Sequence, residues 1–113
     1  RANTGHALET AVLNELERRG TDIGYVSTAE GFEVDFLARH LAGGEELIQV
    51  CADLSSAETR ARELGALDAA AIEHPRAARR LLVLDRDARV GIETPGIEVQ
   101  PAYEWMLADG AER

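Results

Sequence analysis

Apolar residues recur along the first part of the chain with the spacing of one helix face. Between Thr4 and Arg19 they fall three or four positions apart, at Leu8, Val12, Leu13 and Leu16. Gly20 follows, and a glycine directly after a periodic segment is a common helix stop. The pattern predicts an amphipathic helix over this segment.

Three short extended segments follow this helix. They read "DIGYVST", "GFEVDFLA" and "ELIQVC", and each is rich in β-branched, aromatic or other large apolar residues. Gly31 lies at the turn between the first two, and Gly43 and Gly44 lie between the second and third. The segments therefore predict a three-strand meander.

A second helical segment reads "LSSAETRARELGALDAAAIEHP". Ser55 and Glu58 have the spacing of a capping box at its start. Its small and apolar residues form one stripe, which comprises Ala57, Ala61, Leu64, Leu67 and Ala71. The pattern predicts a helix that ends near His74, before Pro75.

The last third of the chain predicts further strands and a short helix. "RRLLVLD" has the nearly continuous apolar character of a buried central strand, and "RVGIETPGIEVQ" predicts two short strands around a Pro95-Gly96 turn. Pro101 then opens a helix in which Trp105 packs on the sheet. A helix between the third and fourth strands makes this a single α/β domain with a mixed sheet, spanning residues 1–113.

Composition limits the classes of function. The net charge is -9, and all 12 basic residues are arginine. An acidic surface repels phosphate backbones and gives no general attraction for DNA or anionic lipid. One cysteine forms no internal disulfide, and the chain has neither a signal-peptide pattern nor the ~20 apolar residues that span a bilayer. These features predict a cytoplasmic protein that does not enter membranes. The start at Arg1 predicts a piece of a longer chain.

Polar residues within the predicted strands are the candidate functional groups. Alternation places Phe32, Val34 and Phe36 on one face of their strand, and Glu33 and Asp35 on the other. In the next strand the same rule places Gln49 and Cys51 together. In the first helix, Glu9 falls inside the apolar stripe at about 100° per residue.

Two interpretations of these groups are open. Oxygen atoms of Glu9, Asp35 and Gln49, with a nearby backbone carbonyl, suit a hard divalent cation such as Mg²⁺. A carboxylate directed at a core needs such a partner, because desolvation of an unpaired charge is costly. In the other interpretation Glu33 and Asp35 face solvent, Gln49 makes a strand-edge hydrogen bond, and Glu9 pairs with an arginine. Spacing alone leaves both open.

The segment order carries a resemblance to a known family. "GHALETAVLNEL", "GYVST", "EVDFLA", "LIQVCADL", "ETRARELGAL", "RLLVLD" and a terminal P-x-x-E-W-M-L resemble the C-terminal domain of unknown function in predicted bacterial and archaeal AAA-type ATPases. That domain is similar to members of the PD-(D/E)xK nuclease-like superfamily, with its restriction-endonuclease-like fold. The resemblance implies a helix, a three-strand meander, a helix and a strand, followed here by the C-terminal hairpin and short helix.

The resemblance also implies positions for the active-site groups. The helix glutamate falls on Glu9, the strand aspartate on Asp35, the next metal ligand on Gln49, and the lysine on Cys51. In the superfamily these groups bind Mg²⁺ and activate water for phosphodiester hydrolysis. A thiol is neutral at its reference pKa of roughly 8.5, so Cys51 does not replace the lysine. Gln49 also lowers the charge of the metal site, which predicts weak Mg²⁺ binding.

Two functions from different classes follow from these residues. The first is a degenerate nuclease-like module that binds the parent ATPase or a partner protein and does not hydrolyse DNA. The second is a Mg²⁺-dependent endonuclease that uses Glu9, Asp35 and Gln49, with the missing charge supplied by an arginine such as Arg60 or Arg62 or by the parent ATPase. DNA is the less favoured partner because of the acidic charge. The sequence leaves the oligomeric state open.

Overall fold

A computed structural model describes residues 2–89 and 94–108 of the chain. The described residues form an α/β arrangement of helices and strands around one sheet. In chain order the elements are α1 (Ala2–Arg18), β1 (Asp22–Ser27), β2 (Glu33–Arg39), β3 (Glu45–Cys51), α2 (Ala57–Glu73), β4 (Ala78–Val83), a 3₁₀ turn (Arg86–Arg89), β5 (Ile97–Pro101) and α3 (Ala102–Ala108).

The sheet is mixed and follows the order β1-β2-β3-β4-β5. β1, β2 and β3 are antiparallel neighbours, whereas β4 runs parallel to β3 and β5 runs parallel to β4. The helix α2 makes the crossover between the parallel strands β3 and β4, as such a connection requires. The predicted meander and the position of "RLLVLD" beside "LIQVC" are confirmed.

Each face of the sheet is covered by helices, so the core has two layers. On one face α1 and α3 pack over a cluster that includes Val12, Leu16, Phe36, Ala38, Ile48, Leu82, Ala102 and Trp105. On the other face α2 packs over a cluster that includes Val26, Val34, Leu37, Leu47, Leu67, Ala70, Leu81 and Val83. Side chains of β3 and β4 alternate between the two clusters, as the period of a strand demands.

The first helix follows its predicted stripe. Val12 and Leu16 are fully buried, and Gly20 ends the helix with a positive φ of 74°. A backbone in that region favours glycine because it has no Cβ. The predicted helix, its buried face and its stop signal are confirmed.

A β-bulge in β2 changes the face to which its side chains belong. Gly24 pairs with Leu37 and Val26 pairs with Val34, so the two residues Asp35 and Phe36 lie opposite the single residue Tyr25. Val34 therefore joins the core beneath α2, while Phe36 joins the core beneath α1. The prediction that Phe32, Val34 and Phe36 share one face was wrong, because simple alternation ignores the extra residue.

The start of α2 differs by one residue from the predicted capping box. Ser56 is the N-cap residue, and its side-chain oxygen accepts a hydrogen bond from the Thr59 backbone N–H at 3.2 Å. Ser55 lies before the cap, so its predicted reciprocal pairing with Glu58 was wrong. The other end is as predicted: α2 stops at Glu73, and the backbone N–H of His74 donates to the Ala70 carbonyl.

The C-terminal segment confirms the last helix. Of the two predicted strands around Pro95-Gly96, the second is β5, whereas residues 90–93 of the first lie outside the described residues. α3 follows directly, and Trp105 is buried beneath it against the sheet. In residues 2–89 and 94–108, no helix has the length and apolar character needed to cross a membrane.

The cap assignment predicts different effects for two adjacent serines. Ser56→Ala removes the side-chain acceptor for the Thr59 N–H and should lower the free energy of unfolding by about 1 kcal/mol. Ser55→Ala is the matched control and should change it by less than about 0.5 kcal/mol. Urea denaturation followed by circular dichroism measures both. A larger effect at Ser55 than at Ser56 would contradict the assignment.

Candidate functional site

Asp35 and Gln49 lie where β2 and β3 cease to pair through their backbones. Regular pairing runs from Arg39 opposite Glu45 to Phe36 opposite Ile48. Beyond that point side chains take over: the Asp35 N–H donates to Gln49 Oε1 at 2.8 Å, and the Val50 N–H donates to Asp35 Oδ2 at 2.8 Å. Two side chains therefore continue the connection between strands that have separated.

Both the oxygen and the nitrogen of the Gln49 carboxamide make hydrogen bonds. Its oxygen accepts from the Asp35 backbone, and its Nε2 donates to the Glu33 carbonyl at 3.2 Å. The residue is 4% exposed. A buried amide with such partners is a structural bridge, since breaking either bond would leave a buried polar group unsatisfied. The geometry thus supports the strand hydrogen-bond interpretation of Gln49.

The carboxyl group of Asp35 is largely removed from water. Burial raises its pKa to about 7, and this effect outweighs the hydrogen bond from the Val50 N–H, which favours the charged form. The negative charges of Glu9 and Glu63 and a hydrogen bond with the Glu9 side chain raise the pKa further. The structure therefore brings Glu9 and Asp35 together, and the pair favours a bound proton on Asp35.

A cavity of about 340 Å³ opens beside Asp35 and Gln49. The helix α2 contributes Arg62 and Glu63 to its wall, and the Arg62 guanidinium lies 3.6 Å from the Glu63 carboxylate. Burial raises the pKa of Glu63, although Arg62 favours its charged form. The cavity is thus acidic, with one arginine among its described lining residues.

Glu63 is a site residue that the sequence analysis missed. It lies one helical turn before Leu67, which is fully buried, and its side chain is largely covered. Residues four apart share a helix face, so this spacing was the available signal. At about 100° per residue Glu63 lies about 40° from Leu67 and outside the predicted stripe, so the argument that selected Glu9 did not select it.

Cys51, which the resemblance would align with the superfamily lysine, forms part of the packing under α2. Its side chain contacts the core cluster on that face, and Sγ donates to the Asp53 carbonyl at 3.3 Å. Burial, together with the charge of Glu63, raises the pKa of the thiol. Cys51 is consequently a neutral weak donor at physiological pH, without the positive charge of a lysine.

The two arginines of α2 have different roles. Arg60 Nη1 donates to the carbonyls of Leu54 and Ser55, at 2.7 and 3.3 Å, and so ties the loop before α2 to the helix. Arg62 lines the cavity, but it is mostly exposed and pairs with Glu63. Of these two candidates for a substitute charge, Arg62 is the one placed beside Asp35.

The proposed metal ligands come together only in part. Asp35 interacts with both Glu9 and Gln49, yet Gln49 is occupied by backbone groups. Among the residues that the structure describes, no group of three or more histidine, cysteine, aspartate or glutamate side chains is arranged to hold a metal ion. The geometry is that of a partly buried acid pair next to an amide bridge.

Comparisons with known proteins identify no relative of this chain. No family model, curated protein or solved structure matches the chain. The resemblance to PD-(D/E)xK proteins therefore remains a prediction from the sequence.

The raised pKa of Asp35 predicts a specific dependence of stability on pH. The folded state binds this proton more tightly than the unfolded state, whose reference pKa is 3.8, so stability from this group is present at low pH and is lost as pH rises toward about 7. Asp35→Asn cannot titrate. The free energy of unfolding of this variant, relative to that of wild type, should therefore rise by on the order of 2 kcal/mol between pH 4 and pH 8, after allowance for solvent screening.

Urea denaturation at a series of pH values measures this difference. Asp22→Asn is a suitable control, because Asp22 is an exposed aspartate at the start of β1. Parallel pH profiles for wild type and the Asp35→Asn variant would show that the Asp35 carboxyl has an ordinary pKa.

Proposed function

We propose that this chain is a catalytically inactive PD-(D/E)xK-like module that acts by binding, as an interaction or regulatory domain of an AAA-type ATPase. The strongest support is that both polar atoms of the Gln49 side chain are already hydrogen-bonded to backbone groups. Its amide connects β2 to β3 through the Asp35 N–H and the Glu33 carbonyl. The position from which the superfamily supplies a metal ligand serves here to hold two strands together.

Hydrolysis of a phosphodiester also needs a cation near the attacking water and the developing charge on phosphate. Cys51 is neutral, and a pKa of about 7 leaves much of the Asp35 population protonated near neutral pH. A protonated carboxyl group is a poor metal ligand and a poor base. Asp35, Gln49 and Cys51 thus each lack, for a different reason, the property that hydrolysis would require.

Surface charge favours a protein partner over DNA. The chain carries a net charge of -9, and the cavity at Asp35 adds the charges of Glu33 and Glu63 to its rim and wall. Such a surface repels a phosphate backbone and attracts basic protein surfaces. We infer that the partner is the parent ATPase module or a protein that this ATPase engages.

One observation favours the alternative of a Mg²⁺-dependent endonuclease. Glu9 and Glu63 approach Asp35 from the two helices that cover opposite faces of the sheet, and both destabilise its charge. A divalent cation would relieve this repulsion, and Arg62 would supply a positive charge beside the cavity. This alternative requires Gln49 to release its backbone partners.

The proposal predicts that the purified chain cleaves neither single-stranded nor double-stranded DNA with Mg²⁺ or Mn²⁺. Removal of one preorganised charge donor typically lowers a rate by ~10²–10³, so the assay must detect slow nicking of supercoiled plasmid. Nicking that disappears in an Asp35→Ala variant would refute the inactive assignment and establish the endonuclease.

Substitution of the degenerate positions tests why the site is inactive. Cys51→Lys together with Gln49→Glu restores the superfamily pattern, and cleavage by this variant would locate the loss in these two side chains. Because Gln49→Glu also removes the donor to the Glu33 carbonyl, the variant's folding should be checked by circular dichroism. Cys51→Lys alone keeps the amide bridge and serves as the control for a folding defect.

A further inference from the structure

A second and larger cavity lies at the other end of β2 and β3, near the end of α1. It measures about 640 Å³, a size within the ~300–1,000 Å³ typical of small-molecule sites. Its polar lining residues are Arg18, Arg19, Thr21, His40, Glu46 and Arg80. We call it the arginine groove, after Arg18, Arg19 and Arg80.

Arg80 is held in a fixed orientation in this groove. Its Nε and Nη2 donate to the two carboxylate oxygens of Glu46 at 3.0 and 3.1 Å, and Nη1 donates to Gln100 Oε1 at 2.5 Å. Bidentate pairing of this kind fixes the plane of a guanidinium. The pKa of Glu46 is lowered, because Arg80 outweighs the effect of burial.

Arg18 and Arg19 converge at the end of α1 on one shared carboxylate. Both bind Glu15, and hydrogen bonds from Arg18 and then Arg19 hold the pKa of Glu15 at about 2 against the effect of burial. The Arg19 guanidinium also lies 4.2 Å above the Trp105 ring and donates to the Trp105 carbonyl at 2.8 Å. Stacking and hydrogen bonding together orient Arg19 before any ligand arrives.

The hydroxyl of Thr21 supplies a further polar group. Its Oγ1 is buried and has no hydrogen-bond partner among the residues that the structure describes. Buried hydroxyl groups normally make hydrogen bonds, so this hydroxyl keeps an unused hydrogen-bonding capacity beside the groove. It lies in the same groove as the three guanidinium groups.

We propose that the arginine groove binds a small molecule through a phosphate or carboxylate group. Planar guanidinium groups match the oxygens of such anions, and those in this groove are preorganised by Glu15, Glu46 and Trp105. Glu46 is the one acidic residue among the described lining residues, in a chain whose net charge is -9. Arg18 and Arg19 share Glu15, and Arg80 pairs with Glu46, so three guanidinium groups face two carboxylates and one positive charge remains. The groove thus differs in sign from the acidic cavity at Asp35.

The rim of the groove adds an apolar edge to the site. Leu41, in the turn between β2 and β3, is 85% exposed, and Ala42 lies next to it on the same rim. An exposed leucine beside guanidinium groups gives an amphipathic site, with a charged inner wall and an apolar edge. An organic phosphate or carboxylate suits this arrangement better than a free inorganic anion.

Fluorescence of Trp105, the only tryptophan in the chain, reports directly on this groove. The chain is titrated with inorganic phosphate and with citrate, each against sodium chloride at matched ionic strength. We expect a saturable change in emission with at least one oxyanion and none with chloride. A response to phosphate alone assigns a phosphate group, a response to citrate alone assigns a carboxylate, and a response to both assigns general oxyanion binding.

Two substitutions test whether this binding occurs in the groove. Arg18→Ala removes a half-exposed guanidinium and should weaken binding about tenfold, as expected for one lost charged hydrogen bond. Arg76→Ala, an exposed arginine in the turn after α2, is the matched control and should leave the affinity unchanged. Absence of a saturable change, or equal affinity for wild type and the Arg18→Ala variant, would overturn the proposal. Neither result depends on whether the chain cleaves DNA.

Discussion

The separation of β2 from β3 beyond Phe36 and Ile48 is the constraint on which the candidate site depends. Two separated strands would leave backbone N–H and carbonyl groups without partners inside the protein, which is costly. Asp35 and Gln49 supply the missing partners through three hydrogen bonds. The same bulge that places Asp35 there allows Val34 and Phe36 to fill cores on opposite faces of the sheet.

This constraint couples the stability of the fold to the chemistry of the site. A buried carboxylate that accepts from a backbone N–H would ordinarily be stabilised as an anion, but burial and the nearby Glu9 and Glu63 prevail. The result is an acid that holds its proton close to neutral pH. Asp35 and Gln49 thus act as bridging groups between two strands.

The two ends of β2 and β3 differ in electrostatic character although they belong to the same pair of strands. At one end Asp35 and Glu63 surround a cavity of about 340 Å³, and at the other the arginine groove presents guanidinium groups to a cavity of about 640 Å³. In both places an ion pair joins neighbouring groups, Arg62 with Glu63 and Arg80 with Glu46. The two ends of this strand pair therefore differ in the charges that line their cavities.

Sequence patterns predicted the elements better than the details of the site. Helical periodicity located α1 and α2, and the apolar run "RLLVLD" located β4 beside β3. The bulge at Asp35 was not predictable, because it depends on how many residues the partner strand places opposite. Arg80 and Glu46 are 34 residues apart and meet only through the parallel pairing of β3 and β4, so the arginine groove had no local signal either.

We propose that Asp35 and Gln49 bridge two strands and do not form a working metal site. Thermal unfolding of the wild-type chain with increasing Mg²⁺, against sodium chloride at equal ionic strength, tests it most directly. A ligand specific for the folded state adds about 2.7 kcal/mol of stability when present at ~100 times its dissociation constant. We predict no change in the unfolding midpoint at millimolar Mg²⁺. A saturable rise that is lost in an Asp35→Ala variant would contradict the claim.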